Sequence, residues 1–580
     1  MKDFVKTMLA VIAAFIVWGL LRLFFFLILL GSASLGGSTP SVPRSGAVLD
    51  IDLSQFAVGE QTQTDEIPSF SMSGISTGVP VVGIRDAVLA LQEAAQDPAV
   101  RFVYLRTDGV SAGMAHLEEF RGALEAFRAS GKPVLAYVEA PGNGSYYLAS
   151  AADKVLMANV HGSTYQLLGL SSTQYFLKDI LDKLGVNVQL IRHGKYKSAG
   201  EMYIRNSASP ENREQLQVMV NSLWGVMSEK MAAARDLSPE DFNALIDNLS
   251  LLLPEDFLRH GLVDELVDRE ELVAKLCTLA QVDNEKKLHL VSFQDYVSAK
   301  VVPETGRNQV AVIYAEGEIV EGDDVSNIAG DRFARIIEKV RKDQNVKAVV
   351  LRVDSPGGSV SASEKIRAAL DALMKEKPLV ASYGDYAASG GYWISNGCQK
   401  IYADATTITG SIGVFSMIPE FSKVTKKVGV GVESVSSNKH SDMYSLMRPF
   451  DTQELAYMQG SVEDIYDRFV NLVATSRGLT PERVDEIAQG RVWAATDALE
   501  IGLVDEIGTL EDAIRYAAAL ADFTSSDEYA VVGYPAPLSF MEQLMQQFGS
   551  AEPEIGINKF LNYQPGKFYA RLPYELELSF

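Results

Sequence analysis

The sequence predicts an α/β protein: two tandem repeats of βαβ units with helical segments, behind one N-terminal transmembrane helix. Three observations carry this. Four landmarks recur in order at near-constant separation, short apolar strands alternate with amphipathic helices inside each copy, and a long apolar run stands at the N-terminus. Asp97 before RFVYLR matches Asp343 before KAVVLR, and Lys132-Pro133 matches Lys377-Pro378. Gly185 matches Gly429, and Gly261-LVDEL matches Gly502-LVDEI. The separations are 246, 245, 244 and 241, so the copies stay in register.

In chain order, Met8 to Leu30 is apolar except for Arg22, and its 23 residues are long enough to cross a bilayer core of about 30 Å. Lys2 and Lys6 precede it, so residues 1–31 are expected to be a cytoplasmic tail and membrane anchor with the bulk of the chain on the far side. Gly31-Ser-Ala-Ser-Leu leaves cleavage as an alternative. Gly, Ser and Pro make 32–46 a linker. The first repeat spans 47–300 and the second 301–545, followed by an extension, 546–580, outside the duplicated pattern.

Within the repeats, FVYLR (102–106) and AVVLRV (348–353) are continuous apolar runs, as in sheets covered on both faces. Residues 114–130 and 361–376 carry apolar side chains at helical spacing. VLAYVE and LVASYG follow as strands, each leading through a Gly/Ser turn into another helix. Strand–helix–strand at this spacing means parallel crossovers. Long helical patterns at 210–235 and 452–477 form a helical cap.

Composition excludes some classes. A net charge of −23, from 52 basic and 75 acidic residues, argues against nucleic acid, which needs clustered Lys and Arg. Two cysteines, Cys277 and Cys398, are too few for a disulfide framework and read as buried small residues.

The chemistry is divided between the copies. Asp354-Ser-Pro-Gly-Gly-Ser359 turns a buried strand into a helix, and its glycines let backbone N–H groups approach a phosphate or a tetrahedral oxyanion. The first copy has Asp108-Gly-Val-Ser there instead. Two serines compete as nucleophile. Ser389 in Ala-Ser-Gly-Gly-Tyr-Trp starts a helix, but Ser145 holds the same place in the first copy, which suggests a helix cap. Ser411, in Thr-Gly-Ser-Ile-Gly, lacks a counterpart in register and is the preferred nucleophile. A serine needs a base. His440 with Asp442 two residues on is an awkward triad. Lys197, in Gly-Lys-Tyr-Lys-Ser after the strand-like VNVQLI, fits better if burial lowers its pKa, and Lys195 beside it reads as a solvated lysine. In the repeat register Lys197 falls on Ser441, so the base comes from one copy and the serine from the other.

Pro-Gly-Gly-Ser-Val, Ala-Ser-Gly-Gly-Tyr-Trp, Thr-Gly-Ser-Ile-Gly-Val, Tyr-Lys-Ser-Ala, Gly-Arg-Val-Trp (490–493) and Gly-Leu-Val-Asp together resemble peptidase family S49, the signal peptide peptidase A family, in its long, duplicated, membrane-anchored form. The resemblance runs from about residue 47 to 525. It implies a Clp-protease/crotonase-like fold and a Ser411–Lys197 dyad, with Lys197 from the first copy. It also implies an oxyanion hole from the N–H groups of Gly358 and Ile412, with Ser436 helping to hold the lysine. The implied activity is a serine endopeptidase degrading remnant signal peptides and other peptides at the membrane, with no cofactor and no metal. The implied setting is a homotetramer anchored in the inner membrane, its catalytic part on the extracytoplasmic side. Two rivals stand beside it: a crotonase-like acyl-CoA enzyme, which has no use for Lys197, and a non-catalytic membrane scaffold.

Overall fold

A computed structural model describes residues 18, 45–63, 69–71, 74–76, 79–536 and 566–572. Apart from Trp18, the expected membrane span lies outside the described residues, as does nearly all of the linker. So does most of the C-terminal extension. Among the described residues, no helix is long and apolar enough to cross a membrane.

The duplication is visible in sheet topology. The first sheet runs Glu265–Val267, Lys154–Ala158, Val134–Val138, Val100–Arg106, Ala47–Asp52, His289–Ser292, with every neighbour parallel. The second repeats that order with Glu506–Ile507, Ile401–Ala403, Leu379–Ala388, Val346–Ser355, Gln309–Glu316 and Ala530–Tyr534, again parallel throughout. Parallel strands covered on both faces need apolar residues at successive positions, and Ala348, Val349, Val350, Leu351 and Val353 are all buried. The copies differ where strand Leu379–Ala388 doubles the length of Val134–Val138. Its extra residues pair with Ile408–Gly410, which in turn pairs antiparallel with Val492–Ala494.

The expected long helices are present as Pro210–Ala233 and Thr452–Arg477. The first opens on Ser209, whose hydroxyl accepts the Asn212 N–H, with proline in its first turn. The second opens on Asp451 in a capping box with Glu454. Cys277 and Cys398 are buried and unpaired.

The repeats are joined in two ways. A third sheet, in the order Ile328–Ala329, Ile319–Val320, Gly357–Ser359, Tyr569–Arg571, Phe415–Glu420, Asn187–Arg192, mixes both copies. Its last pair is antiparallel over six residues, from Asn187 opposite Glu420 to Arg192 opposite Phe415. The second joint is electrostatic. Arg352 of the second copy is wholly buried, with Nε 2.9 Å from Glu60 and Nη2 2.9 Å from Glu119, both in the first copy. Burial opposes ionisation of Glu60, but Arg352 and His116 outweigh it and hold its pKa at about 2.

Candidate active site

Strand Asn187–Arg192 is fixed at the edge of the mixed sheet, and the chain then turns through Gly194 to Lys197. The turn is tied to the second copy, since the Tyr196 N–H donates to Gln489 O at 2.9 Å. Gln215, from the long first-copy helix, donates to Tyr196 O at 3.0 Å and Ser198 Oγ at 3.2 Å. Arg491 lies over the Tyr196 ring at 5.0 Å. Lys195 lies over the same ring, at 5.0 Å.

Lys197 is driven inward and fully buried. Two glycines make room for its stem. A Cβ at Gly490 would meet Lys197 Cβ at 2.5 Å, and one at Gly413 would meet Lys197 Cδ at 3.2 Å. These are the glycine of Gly-Arg-Val-Trp and the second glycine of Thr-Gly-Ser-Ile-Gly, so both motifs line one lysine channel. The ammonium nitrogen reaches Ser389 Oγ at 2.9 Å, Ser411 Oγ at 3.1 Å and Ser411 O at 3.3 Å. Desolvation holds its pKa well below that of ordinary lysine. A neutral amine between two hydroxyls can accept a hydroxyl proton.

The two serines differ in backbone setting. Ser389 ends the lengthened strand Leu379–Ala388 and precedes helix Gly390–Ser395. Its φ of 55° and ψ of −108° are strained for a residue with a side chain, and its hydroxyl makes no cap bond. A sharp strand-to-helix turn presents a hydroxyl together with the following N–H groups. Here those belong to Gly390 and Gly391. A Cβ on Gly390 would lie 3.1 Å from Gly358 N, so the helix start and the Pro356-Gly357-Gly358 loop are packed together. Ser411 also has positive φ, and each serine donates its own N–H, Ser389 to Gly410 O at 2.8 Å and Ser411 to Arg491 O at 2.7 Å. Ile412 is buried in the second-copy core, and its carbonyl accepts the Gly490 N–H at 2.9 Å.

Several sequence expectations are corrected here. Ser389 stands at the N-cap position of helix Gly390–Ser395, but its hydroxyl makes no cap bond and turns to Lys197 instead. The cap reading fits Ser145, which sits at the third position of helix Asn143–Ala149 and accepts the Gly142 N–H at 2.7 Å. The second-copy helix begins three positions later in register, which frees Ser389 to face Lys197. The signal was the pair Gly390-Gly391, where the first copy has Tyr146 and Tyr147, because a cap needs no glycines after it. Ser436 is exposed and holds nothing at the site. His440 bonds Glu454 at 2.9 Å and Asp442 bonds Arg448, so neither serves a triad. Ser441, at the position of Lys197 in register, is exposed.

The family model described as "Peptidase family S49" matches this chain twice, over residues 126–283 and 371–524. "Protease 4" of Haemophilus influenzae is 37% identical over 450 residues, covering 75% of this chain and 73% of its own. "Protease 4" of Salmonella typhi is 36% identical over 521 residues, with coverage of 86% and 83%. The chloroplastic "Serine protease SPPA" of Arabidopsis thaliana is 32% identical over 479 residues, with coverage of 81% and 70%. Among solved structures, ClpP1 from Listeria monocytogenes matches 35% of this chain and 94% of its own, at 14% identity and a TM-score of 0.23.

Proposed function

Because the chain belongs to peptidase family S49 and is a serine protease, we propose that it is an endopeptidase with one catalytic centre built from both repeats, Lys197 the base and Ser389 the nucleophile. The observation carrying this is Lys197 Nζ, buried and 2.9 Å from Ser389 Oγ. Ser411, expected from sequence to be the nucleophile, is assigned to holding the lysine amine through its hydroxyl and carbonyl.

Neutral Lys197 takes the Ser389 hydroxyl proton as Oγ attacks the peptide carbonyl. The oxyanion is received by the N–H groups of Gly358 and Gly390, with Gly390 in the role expected of Ile412. Lys197 then gives its proton to the leaving amine. Water hydrolyses the acyl-enzyme by the same route, so the base is regenerated.

Peptides, cleaved signal peptides among them, are the proposed substrates. The apolar stretch 8–30 supports an inner-membrane anchor with the catalytic part on the extracytoplasmic side. A homo-oligomer, taken as a tetramer, is supported by an exposed apolar stretch. Asn187–Arg192 pairs with Phe415–Glu420 within the chain, whereas the second-copy equivalent of the former, residues 431–436, leaves Val432 and Val435 exposed. The first-copy equivalent of Phe415–Glu420, residues 171–176, on a neighbouring copy is the segment proposed to meet it.

Hydrolysis of an unstructured fluorogenic peptide tests the assignment. Ser389→Ala is expected to lower kcat by about 10⁴-fold or more, and Lys197→Met by about 10²–10⁴-fold. Wild-type hydrolysis in Ser389→Ala, with loss in Ser411→Ala, would return the nucleophile to Ser411.

A further inference from the structure

The strand that leads to Ser389 carries an irregularity that its first-copy counterpart lacks. Val134–Val138 pairs with Val100–Arg106 residue for residue, from Val103 opposite Val134 to Arg106 opposite Tyr137. In the second copy the same ladder slips, with Val353 opposite Tyr383 but Ser355 opposite Ala387. Asp354 alone therefore faces Gly384, Asp385 and Tyr386, a bulge that ends three residues before Ser389. Residues squeezed out of a ladder need other partners. Asp354 Oδ1 accepts the Tyr386 N–H at 2.9 Å, and Thr407 Oγ1 donates to Gly384 O at 2.7 Å. Asp385 instead reaches the other repeat. Its Oδ1 accepts the Ala115 N–H at 2.8 Å and its Oδ2 stands 3.3 Å from His116 Nδ1, both in the first turn of helix Met114–Ala129. We propose that Asp385 is a positioning residue for catalysis, its carboxylate latching the bulged end of Leu379–Ala388 to that first-copy helix and so fixing the turn on which Ser389 stands. The proposal rests on Ser389 as the nucleophile.

The two repeats are shaped for this contact. Helix Met114–Ala129 has no cap of its own, since Gly113 stands at its N-cap and its first turn holds no acid. The N–H groups at a helix start lack intrahelical partners and favour a carboxylate, which Asp385 supplies from the second copy. A Cβ on Gly113 would overlap both Asp385 carboxylate oxygens, so a side chain there leaves the latch no room. Gly384 is small for a like reason, because a Cβ on it would overlap Glu60 Oε1. His116 continues the path, its Nε2 3.0 Å from Glu60, which bonds Arg352. Burial opposes the charge on His116, but Asp385 and Glu60 outweigh it and hold its pKa well above that of ordinary histidine.

The same helix also grips the next strand. Glu118 accepts both the N–H and the hydroxyl of Thr406 at 3.1 Å, just before Ile408–Gly410, which pairs with Tyr386–Ala388. Ser389 needs such bracing. Its φ of 55° and ψ of −108° are strained, and a strained backbone persists only where its surroundings over-determine it. The first repeat thereby sets the nucleophile as well as supplying the base.

The test is steady-state hydrolysis of a fluorogenic peptide by the full chain, with thermal unfolding to show that each variant is folded at the assay temperature. Asp385→Ala removes the latch. Gly113→Ala keeps Asp385 but drives its carboxylate off the helix, and at a φ of −72° the alanine brings no backbone strain. A shift of about 1 Å at a reacting group costs roughly 10²-fold, so both variants should lose about 10–10²-fold in kcat with KM little changed. The rate of fluorophosphonate labelling at Ser389 should fall by the same factor. Asp385→Asn keeps an oxygen for the Ala115 N–H and should recover most of kcat. Wild-type kcat in folded Asp385→Ala and Gly113→Ala, or a loss carried by KM alone, would overturn the latch. Labelling of Ser411 rather than Ser389 in the wild-type chain would instead overturn the nucleophile assignment beneath it.

Discussion

Replacing Gly490 by alanine tests the lysine channel through a residue that makes no side-chain contact with Ser389, although its carbonyl accepts the Ser411 hydroxyl at 3.5 Å. The added Cβ would stand 2.5 Å from Lys197 Cβ and 2.7 Å from its Cα and N. Carbon atoms need about 3.5 Å, so the Lys197 backbone has to move by about 1 Å. Lys197 Nζ is held at 2.9 and 3.1 Å by two hydroxyls, and a displacement of that size at a catalytic group costs roughly 10²-fold in rate. Gly490 also has φ of 77°, so alanine adds about 1–2 kcal/mol of backbone strain. Gly502 separates the two effects, because its φ is 81° and a Cβ there meets nothing within 4 Å. Steady-state kinetics with thermal unfolding should therefore show kcat falling about 10²-fold in Gly490→Ala, with KM little changed. Gly502→Ala should lose comparable stability and keep its kcat. A folded Gly490→Ala protein with wild-type kcat would refute the channel.

Three further outcomes follow from the charges. Lys197 acts as a base only when neutral, so kcat/KM should rise with pH along a limb lying well below the 10.5 of ordinary lysine, and a limb at that ordinary value would contradict the burial argument. A depressed folded pKa means that the unfolded chain binds the proton more readily. The resulting penalty is absent above the unfolded pKa and grows as pH falls toward the folded one, so Lys197→Met should melt higher than wild type near neutral pH while losing activity. Arg352→Met leaves Glu60 and Glu119 buried without their partner and should cost about 3–5 kcal/mol in denaturant unfolding, whereas a loss below about 1 kcal/mol would show that the joint is dispensable.

The repeat was legible because duplication preserves strand order, and the six-strand sequence recurs in both sheets. Lys197 was singled out in the sequence as the residue the second copy lacks, and the fold buries it between Ser389 and Ser411. Ser389 was set aside in favour of Ser411 because register alone matched it to Ser145, whereas the helix starts at Asn143 in one copy and Gly390 in the other. That shift comes from the longer strand Leu379–Ala388, which local sequence does not mark. Tyr569–Arg571 was also beyond reach, since a three-residue strand pairing with residues more than two hundred positions away carries no periodic signal.

The central claim is that Lys197 of one repeat activates Ser389 of the other. A fluorophosphonate probe, reacted to completion and located by peptide mass spectrometry, tests it most directly. The adduct is expected on Ser389 and should be strongly suppressed in Lys197→Met. An adduct on Ser411, or undiminished labelling of Ser389 in Lys197→Met, would contradict the account.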